Sequence, residues 1–237
     1  MKAKVLVFDF DGTIVDSNQL KDGAYFELFP SSQKAKEIIE QYKGSRKTRY
    51  QIIREILVAL KEAGEINFND LEEEVRDRAK KFGEIVEKGV AESKGVTGAF
   101  EALKFFHDNN YSVYLLSGTP LEPLQKTVEK LMEAGKIPSF KDIYGRVDDK
   151  DEKLFKEEVI AEIMEREAVT EKQMVLVGDG KNERDAALEM GCIFIGVSNE
   201  SNHWGPEEKR FVVIKDLTEF RPLFEEMREG KKEFLPR

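Results

Sequence analysis

The sequence predicts an α/β protein, a doubly wound parallel sheet interrupted by an all-helical insertion, and three features of its patterning carry that prediction. The first is a set of short runs rich in Val, Ile, Leu and Phe at residues 5–8, 113–116, 174–177, 193–197 and 211–214. They are apolar on both alternating faces, which suits strands buried between two covering layers. The second is helical spacing between the later runs: residues 121–132, then Phe155, Val159, Ile160, Ile163 and Met164, then residues 186–190. Strands alternating with helices give a sheet covered on both sides, a Rossmann-like core. The third is a change of character between about residues 16 and 94, where no strand-like run occurs. There Ile52, Ile53, Ile56, Leu57 and Leu60 mark one amphipathic helix, and Leu71, Val75, Ala79, Phe82, Val86 and Val90 mark another. Asn69, with Glu72 three positions on, resembles a capping arrangement at the start of the second. Residues 1–16 and 95–237 are therefore expected to form the core and residues 17–94 an inserted helical domain, with short hinges near 16–20 and 93–98.

Composition narrows the function classes. The chain has 237 residues, 40% hydrophobic and 36% charged, and a net charge of −9. An acidic average surface repels nucleic-acid backbones and anionic membranes, so neither is expected as a partner. Oligomeric state leaves no legible mark. The single cysteine, Cys192, excludes an internal disulfide and sits in an apolar run as a small core residue. Met1-Lys2-Ala3-Lys4 leads into a strand-like run without a signal-peptide pattern, and no apolar run nears the roughly 20 residues of a membrane span. A cytoplasmic location is expected.

Three strand-like runs end in polar residues that a plain connection would not need: Phe8-Asp9-Phe10-Asp11-Gly12-Thr13, Leu116-Ser117-Gly118-Thr119 and Val177-Gly178-Asp179-Gly180. In open α/β sheets, ligands bind at the carboxyl ends of the strands, so these residues are expected to converge on one crevice. Carboxylates gathered there repel one another unless a cation lies between them, and hard oxygen donors select Mg²⁺ or a similar ion. Each fragment alone has a plainer reading, as a turn, a helix-starting Ser-Gly-Thr-Pro or a loop. The joint placement favours a site.

These motifs are also recognisable. Asp9-Phe10-Asp11-Gly12-Thr13-Ile14-Val15-Asp16-Ser17 resembles the first motif of the haloacid dehalogenase superfamily, Ser117-Gly118-Thr119 its second, and Gly178-Asp179-Gly180-Lys181-Asn182-Glu183 its fourth. The likeness is to the phosphatase type with a helical cap, of the phosphoglycolate phosphatase or beta-phosphoglucomutase kind. It implies that Asp9 is the nucleophile, Asp11 the acid/base, and Ser117 and a lysine catalytic partners. It further implies that Gly12, Thr13, Ser117 and Gly118 receive the substrate, and that Asp9, Asp11, Asp179 and Glu183 attend a Mg²⁺ cofactor, Asp11 through its carbonyl. The motif lysine is Lys156 or Lys153; Lys156 lies 23 residues before Asp179, a spacing that resembles the family. Glu183 stands where the family usually has aspartate, and Asp185 two residues on suits a helix's first turn. Asp11 favours phosphoester chemistry, because an alkoxide leaving group needs a proton and a halide does not. No histidine serves instead: His107 and His203 both read as solvent-facing.

The expected activity is Mg²⁺-dependent hydrolysis of a small phosphorylated metabolite through an aspartyl-phosphate. Lys43-Gly44-Ser45-Arg46 resembles a segment of phosphosugar mutases, which keeps phosphoryl transfer between sugar positions as the alternative. Lys43, Arg46, Lys47 and Arg49 crowd a helix N-terminus, where cations oppose the macrodipole. That placement makes Arg46, with Lys43, a candidate for holding a second anionic or hydroxyl-rich part of the substrate. A phospho-accepting signalling domain is a more remote reading, since it lacks both the inserted domain and the Asp-Xaa-Asp-Gly-Thr order.

Overall fold

A computed structural model describes residues 3–42, 47–92, 95–147, 152–200, 202, 204 and 210–229. In chain order, the first half comprises β1 (Val5–Phe8), α1 (Asn18–Leu28), α2 (Gln33–Tyr42), α3 (Arg49–Glu62), α4 (Leu71–Glu92) and α5 (Ala99–Asp108). There follow β2 (Ser112–Pro120), α6 (Leu121–Glu133), β3 (Asp142–Arg146), α7 (Glu152–Glu167), β4 (Met174–Gly178), α8 (Lys181–Glu189), β5 (Ile193–Val197), β6 (Val212–Ile214) and α9 (Phe220–Arg228). The chain divides into two compact units, Met1–Asp16 with Ser93–Arg237, and Ser17–Glu92.

The first unit is an α/β Rossmann-like fold. Its six strands are all parallel, in the order β3-β2-β1-β4-β5-β6. After β3 the chain returns across the sheet to β4, so the order reverses between β1 and β4, where such sheets open a crevice. Alternation along β1 explains why its run is apolar throughout. Val5 and Val7 join Phe155, Val159, Ile160 and Ile163 of α7 in one core cluster. Phe8 instead meets Phe220 of α9 and Phe106 of α5, at ring distances of 5.7 and 6.4 Å. Cys192 is buried in the α7 cluster, and burial pushes its thiol up to about 12. Among the described residues, no helix is long and apolar enough to cross a membrane.

The sequence did not reveal β3. Asp-Ile-Tyr-Gly-Arg has only two apolar side chains, and an edge strand that is half-buried needs no more. β2 runs on to Pro120 beyond its apolar run, with a register shift between Leu116 and Pro120 that takes Ser117, Gly118 and Thr119 out of the regular ladder. Phe211, expected in the same run, lies just outside β6, and its ring packs at 5.3 Å on Trp204 and 5.2 Å on Phe194.

The second unit is helical. The five apolar residues read on α3 and Val75, Ala79 and Phe82 of α4 share a core with Tyr25, Leu28, Ile38 and Ile39 of α1 and α2. Thr48 and Gln51 form a capping box at α3. The cap of α4 differs from the sequence reading. Asp70, not Asn69, accepts the N–H groups of Glu72 and Glu73, at 2.9 and 3.1 Å, because it directly precedes the first helical residue.

Candidate active site

Aligned register brings the three polar strand ends together. Phe8 pairs with Leu115 on one side and Val177 on the other, so the apolar runs of β1, β2 and β4 end side by side. Asp9 extends this ladder by one step, its N–H donating to the Val177 carbonyl at 2.9 Å. The chain then turns sharply. Phe10 accepts from the N–H groups of Ile14 and Val15, and Gly12 donates to Val15 at 2.8 Å. Gly12 takes φ +72°, a left-handed conformation that side chains rarely adopt. The next residue, Thr13, is wholly buried, and its hydroxyl has no hydrogen-bond partner among the described residues.

This turn aims Asp11 at the end of β2. Its Oδ2 accepts from the Thr119 hydroxyl at 2.6 Å and from the Ser117 hydroxyl at 3.4 Å, while the Thr119 N–H donates to Ser117 Oγ at 3.1 Å. Gly118, between them, leaves room for the Glu152 carboxylate, which would stand 2.6 Å from a side-chain carbon placed there. Asp179 follows β4, and the Asn199 amide donates to its Oδ2 at 2.6 Å.

Lys156 is the most telling placement. A wholly buried lysine is rare without a partner, and this one lies 3.0 Å from Glu152 Oε1 and in direct contact with the Glu183 carboxylate. Lys153, the other candidate, points to the surface and pairs with Glu157 at 2.6 Å and Glu189 at 2.5 Å. Glu183, which the resemblance places at the metal, has its carboxylate against Lys156 and over Gly180, in the space a Cβ there would need. Asp185 is turned away, paired with its neighbour Arg184 at 2.6 Å. His107 is half-exposed on α5. Lys43, Gly44, Ser45, Arg46 and His203 lie outside the described residues.

The electrostatics follow from burial. Burial pushes the Asp9 carboxyl well above the usual carboxylate range; the Lys156 ammonium opposes this, and Asp179 and Asp11 add to it. Burial also pushes Glu152 up, but the charges of Lys156 and Arg146 and a hydrogen bond from Asn182 hold it below its ordinary value. Three carboxylates, those of Asp9, Glu152 and Glu183, thus act on one wholly buried ammonium, and the charges of Asp179 and Asp11 act on Asp9 in turn.

That excess of hard, anionic oxygen fits a divalent cation such as Mg²⁺. The fit is narrower than the sequence suggested. Among the described residues no group of three or more acidic, histidine or cysteine side chains is arranged as a metal cage. Asp9 and Asp179, whose charges act on one another, are the pair that fits a cation, while the side chains of Asp11 and Glu183 meet Thr119 and Lys156. Mg²⁺ commonly takes one or two protein carboxylates and completes its shell with water and substrate oxygens, so a pair suffices.

Sequence reading missed Asn199 and Glu152. Asn199 could have been found by the reasoning used for the other strands, since Val197-Ser198-Asn199 is another apolar run ending in polar residues. Glu152 offered no signal, being one acid within a highly charged stretch.

Comparison with known proteins gives the family and the fold. Residues 3–191 match the family model for haloacid dehalogenase-like hydrolases. No curated protein matches the sequence. Among solved structures, a predicted phosphoglycolate phosphatase from Haemophilus somnus is 17% identical with a TM-score of 0.69, covering 94% of this chain and 99% of its own. A protein of Bacillus subtilis, given as a HAD-hydrolase bound to magnesium, is 20% identical with a TM-score of 0.68 and the same coverage. A beta-phosphoglucomutase from Clostridium difficile is 18% identical with a TM-score of 0.65, covering 97% of this chain and 98% of its own. At these identities the likeness is one of fold.

Proposed function

The chain belongs to the haloacid dehalogenase-like hydrolase family, and we propose that it hydrolyses the phosphate monoester of a small cytoplasmic metabolite, with Asp9 as nucleophile. The observation that carries this reading is the second carboxylate, Asp11, held beside Asp9 by the hydroxyls of Thr119 and Ser117. A nucleophile with a proton carrier next to it suits an alkoxide leaving group.

In the proposed reaction an Asp9 oxygen attacks phosphorus, and the bond from phosphorus to the ester oxygen breaks. Asp11, protonated at the outset, gives its proton to that oxygen, and the alcohol leaves. Water then attacks the phosphorus of the aspartyl-phosphate while Asp11 takes back a proton, freeing inorganic phosphate and Asp9. Lys156 places a buried positive charge against the phosphoryl oxygens, with Ser117 and the backbone at Gly12, Thr13 and Gly118 as further donors. Asp9, Asp179 and the Asp11 carbonyl would hold Mg²⁺, which when bound supplies the charge that lets two anions approach. Glu183 holds Lys156. The helical unit is assigned the role of a cap by the family resemblance, and Arg46, which lies outside the described residues, is the residue proposed for the part of the substrate that is not cleaved.

Purified protein with Mg²⁺ is expected to release phosphate from p-nitrophenyl phosphate and, at higher kcat/KM, from one member of a panel of phosphorylated metabolites. Arg46→Ala should raise KM for that metabolite and leave p-nitrophenyl phosphate unchanged. Release from no substrate would sink the reading. Isomer formation without phosphate release would turn it to the mutase, which the Lys43-Gly44-Ser45-Arg46 segment favours.

The two lysines give a further test. Lys156→Met is expected to lower kcat/KM on p-nitrophenyl phosphate by on the order of 10²-fold or more, and Lys153→Met by less than about threefold. Removing Lys156 also strands buried carboxylates, at a cost of about 3–5 kcal/mol. The comparison is therefore repeated with Lys156→Met combined with Glu183→Gln, which removes one of those charges. The opposite order of losses would assign the role to Lys153.

A further inference from the structure

We propose that Asn199, seated by Asn202, is a positioning residue that fixes the Asp179 carboxylate for cation binding; this rests on the reading of Asp179 as a cation ligand. The ladder between β4 and β5 ends at Gly178 and Gly196, and beyond it the two chains are joined through side chains. The Asn202 amide donates to the carbonyls of Asp179 at 3.0 Å and Val197 at 2.7 Å. Its oxygen accepts from the N–H groups of Asn199 and Trp204, both at 3.1 Å. The four bonds use the full donor capacity of the amide and both lone pairs of its oxygen. Asn199 is held in return, its own side-chain oxygen accepting from the Asn202 N–H at 3.1 Å. The loop is anchored below by Trp204, whose carbonyl accepts from the Ser198 hydroxyl at 2.7 Å and whose ring lies edge-on to Phe194 at 5.7 Å.

One donor of Asn199 is thereby aimed at Asp179 Oδ2, at 2.6 Å. The need for it is electrostatic. Asp179 is nearly buried and close enough to Asp9 for the two charges to repel, so an untethered carboxylate would rotate away from its neighbour. A lysine or arginine at position 199 would also hold Asp179, but by neutralising it. A neutral amide sets the direction of the carboxylate and leaves its charge for the cation.

The test is Mn²⁺ binding to the full chain, followed by electron paramagnetic resonance, with Mg²⁺ as competitor and thermal unfolding recorded in parallel. Asn199→Leu keeps the approximate volume and cannot donate; Asn199→Ala is a second variant should the first not fold. Either is expected to weaken Mn²⁺ and Mg²⁺ binding by about 10–100-fold, with the Tm of the metal-free protein within about 3 °C of the parent. Unchanged binding, or a lower Tm with unchanged binding, would overturn the proposal by reducing Asn199 to a loop tie. If the parent chain itself binds neither ion, the cation reading of Asp179 fails and this proposal fails with it.

Discussion

Asp9→Asn is expected to lower kcat by on the order of 10⁴-fold or more, because an amide cannot attack phosphorus and no other described carboxylate stands in its place. The same substitution is expected to stabilise the metal-free protein at neutral pH. Burial raises the native pKa of Asp9 well above that of the unfolded chain, so as pH rises from about 4 the unfolded state releases this proton first. The native state then binds more protons than the unfolded state, and stability falls with pH across that window. Asparagine does not titrate, so the variant escapes the loss. Activity within tenfold of the parent on p-nitrophenyl phosphate would refute the covalent role. A variant Tm at pH 8 equal to or below the parent's, both in chelator, would refute the electrostatic account.

Chelation is expected to abolish turnover, Mg²⁺ to restore it, and Ca²⁺ to restore little. The physical ground is an excess of carboxylates, since Asp179 and Asp11 repel Asp9 while Glu152 and Glu183 already take up Lys156: an anionic phosphate would enter a region already negative unless a cation accompanies it. Ca²⁺ is larger and takes more ligands in a looser shell, so it neutralises the charge without placing the phosphoryl group as tightly. Binding to the native state alone also raises Tm. Because burial favours the protonated form of Asp9 and a cation binds the ionised one, the Mg²⁺-induced rise in Tm should be larger at pH 8 than at pH 5. Full activity in chelator would remove the metal from the reaction. A Tm increment independent of pH would mean that the cation binds away from Asp9.

Local patterning was legible wherever the chain's environment is uniform over several residues. Four of the six strands, β1, β2, β4 and β5, are buried along their apolar runs, and a run of four or five residues announces each. Both edge strands are only partly buried; β6 was still legible as Val-Val-Ile, whereas β3 escaped because only Ile143 and Tyr144 of its five residues are apolar. Helix α1 escaped because only Ala24, Tyr25 and Leu28 of its eleven residues are buried, too few to set a period.

The polar ends of β1, β2 and β4 could be read from the chain, and with them Asp9, Asp11, Ser117 and Asp179 as neighbours at one end of the sheet. What each side chain touches was decided by tertiary structure. Lys153 and Lys156 differ little in sequence, yet one lies on the surface with Glu157 and Glu189 and the other is wholly buried against Glu183. Glu183 follows Asp179 by four residues, but the open space over Gly180 lets its carboxylate reach that lysine. Asn199 and Asp179 are twenty residues apart and meet only because β5 lies beside β4. Burial and periodicity are properties of a short window of chain and are written there directly. The partner of a charged side chain depends on which strands the topology places side by side, and no window of the sequence contains both.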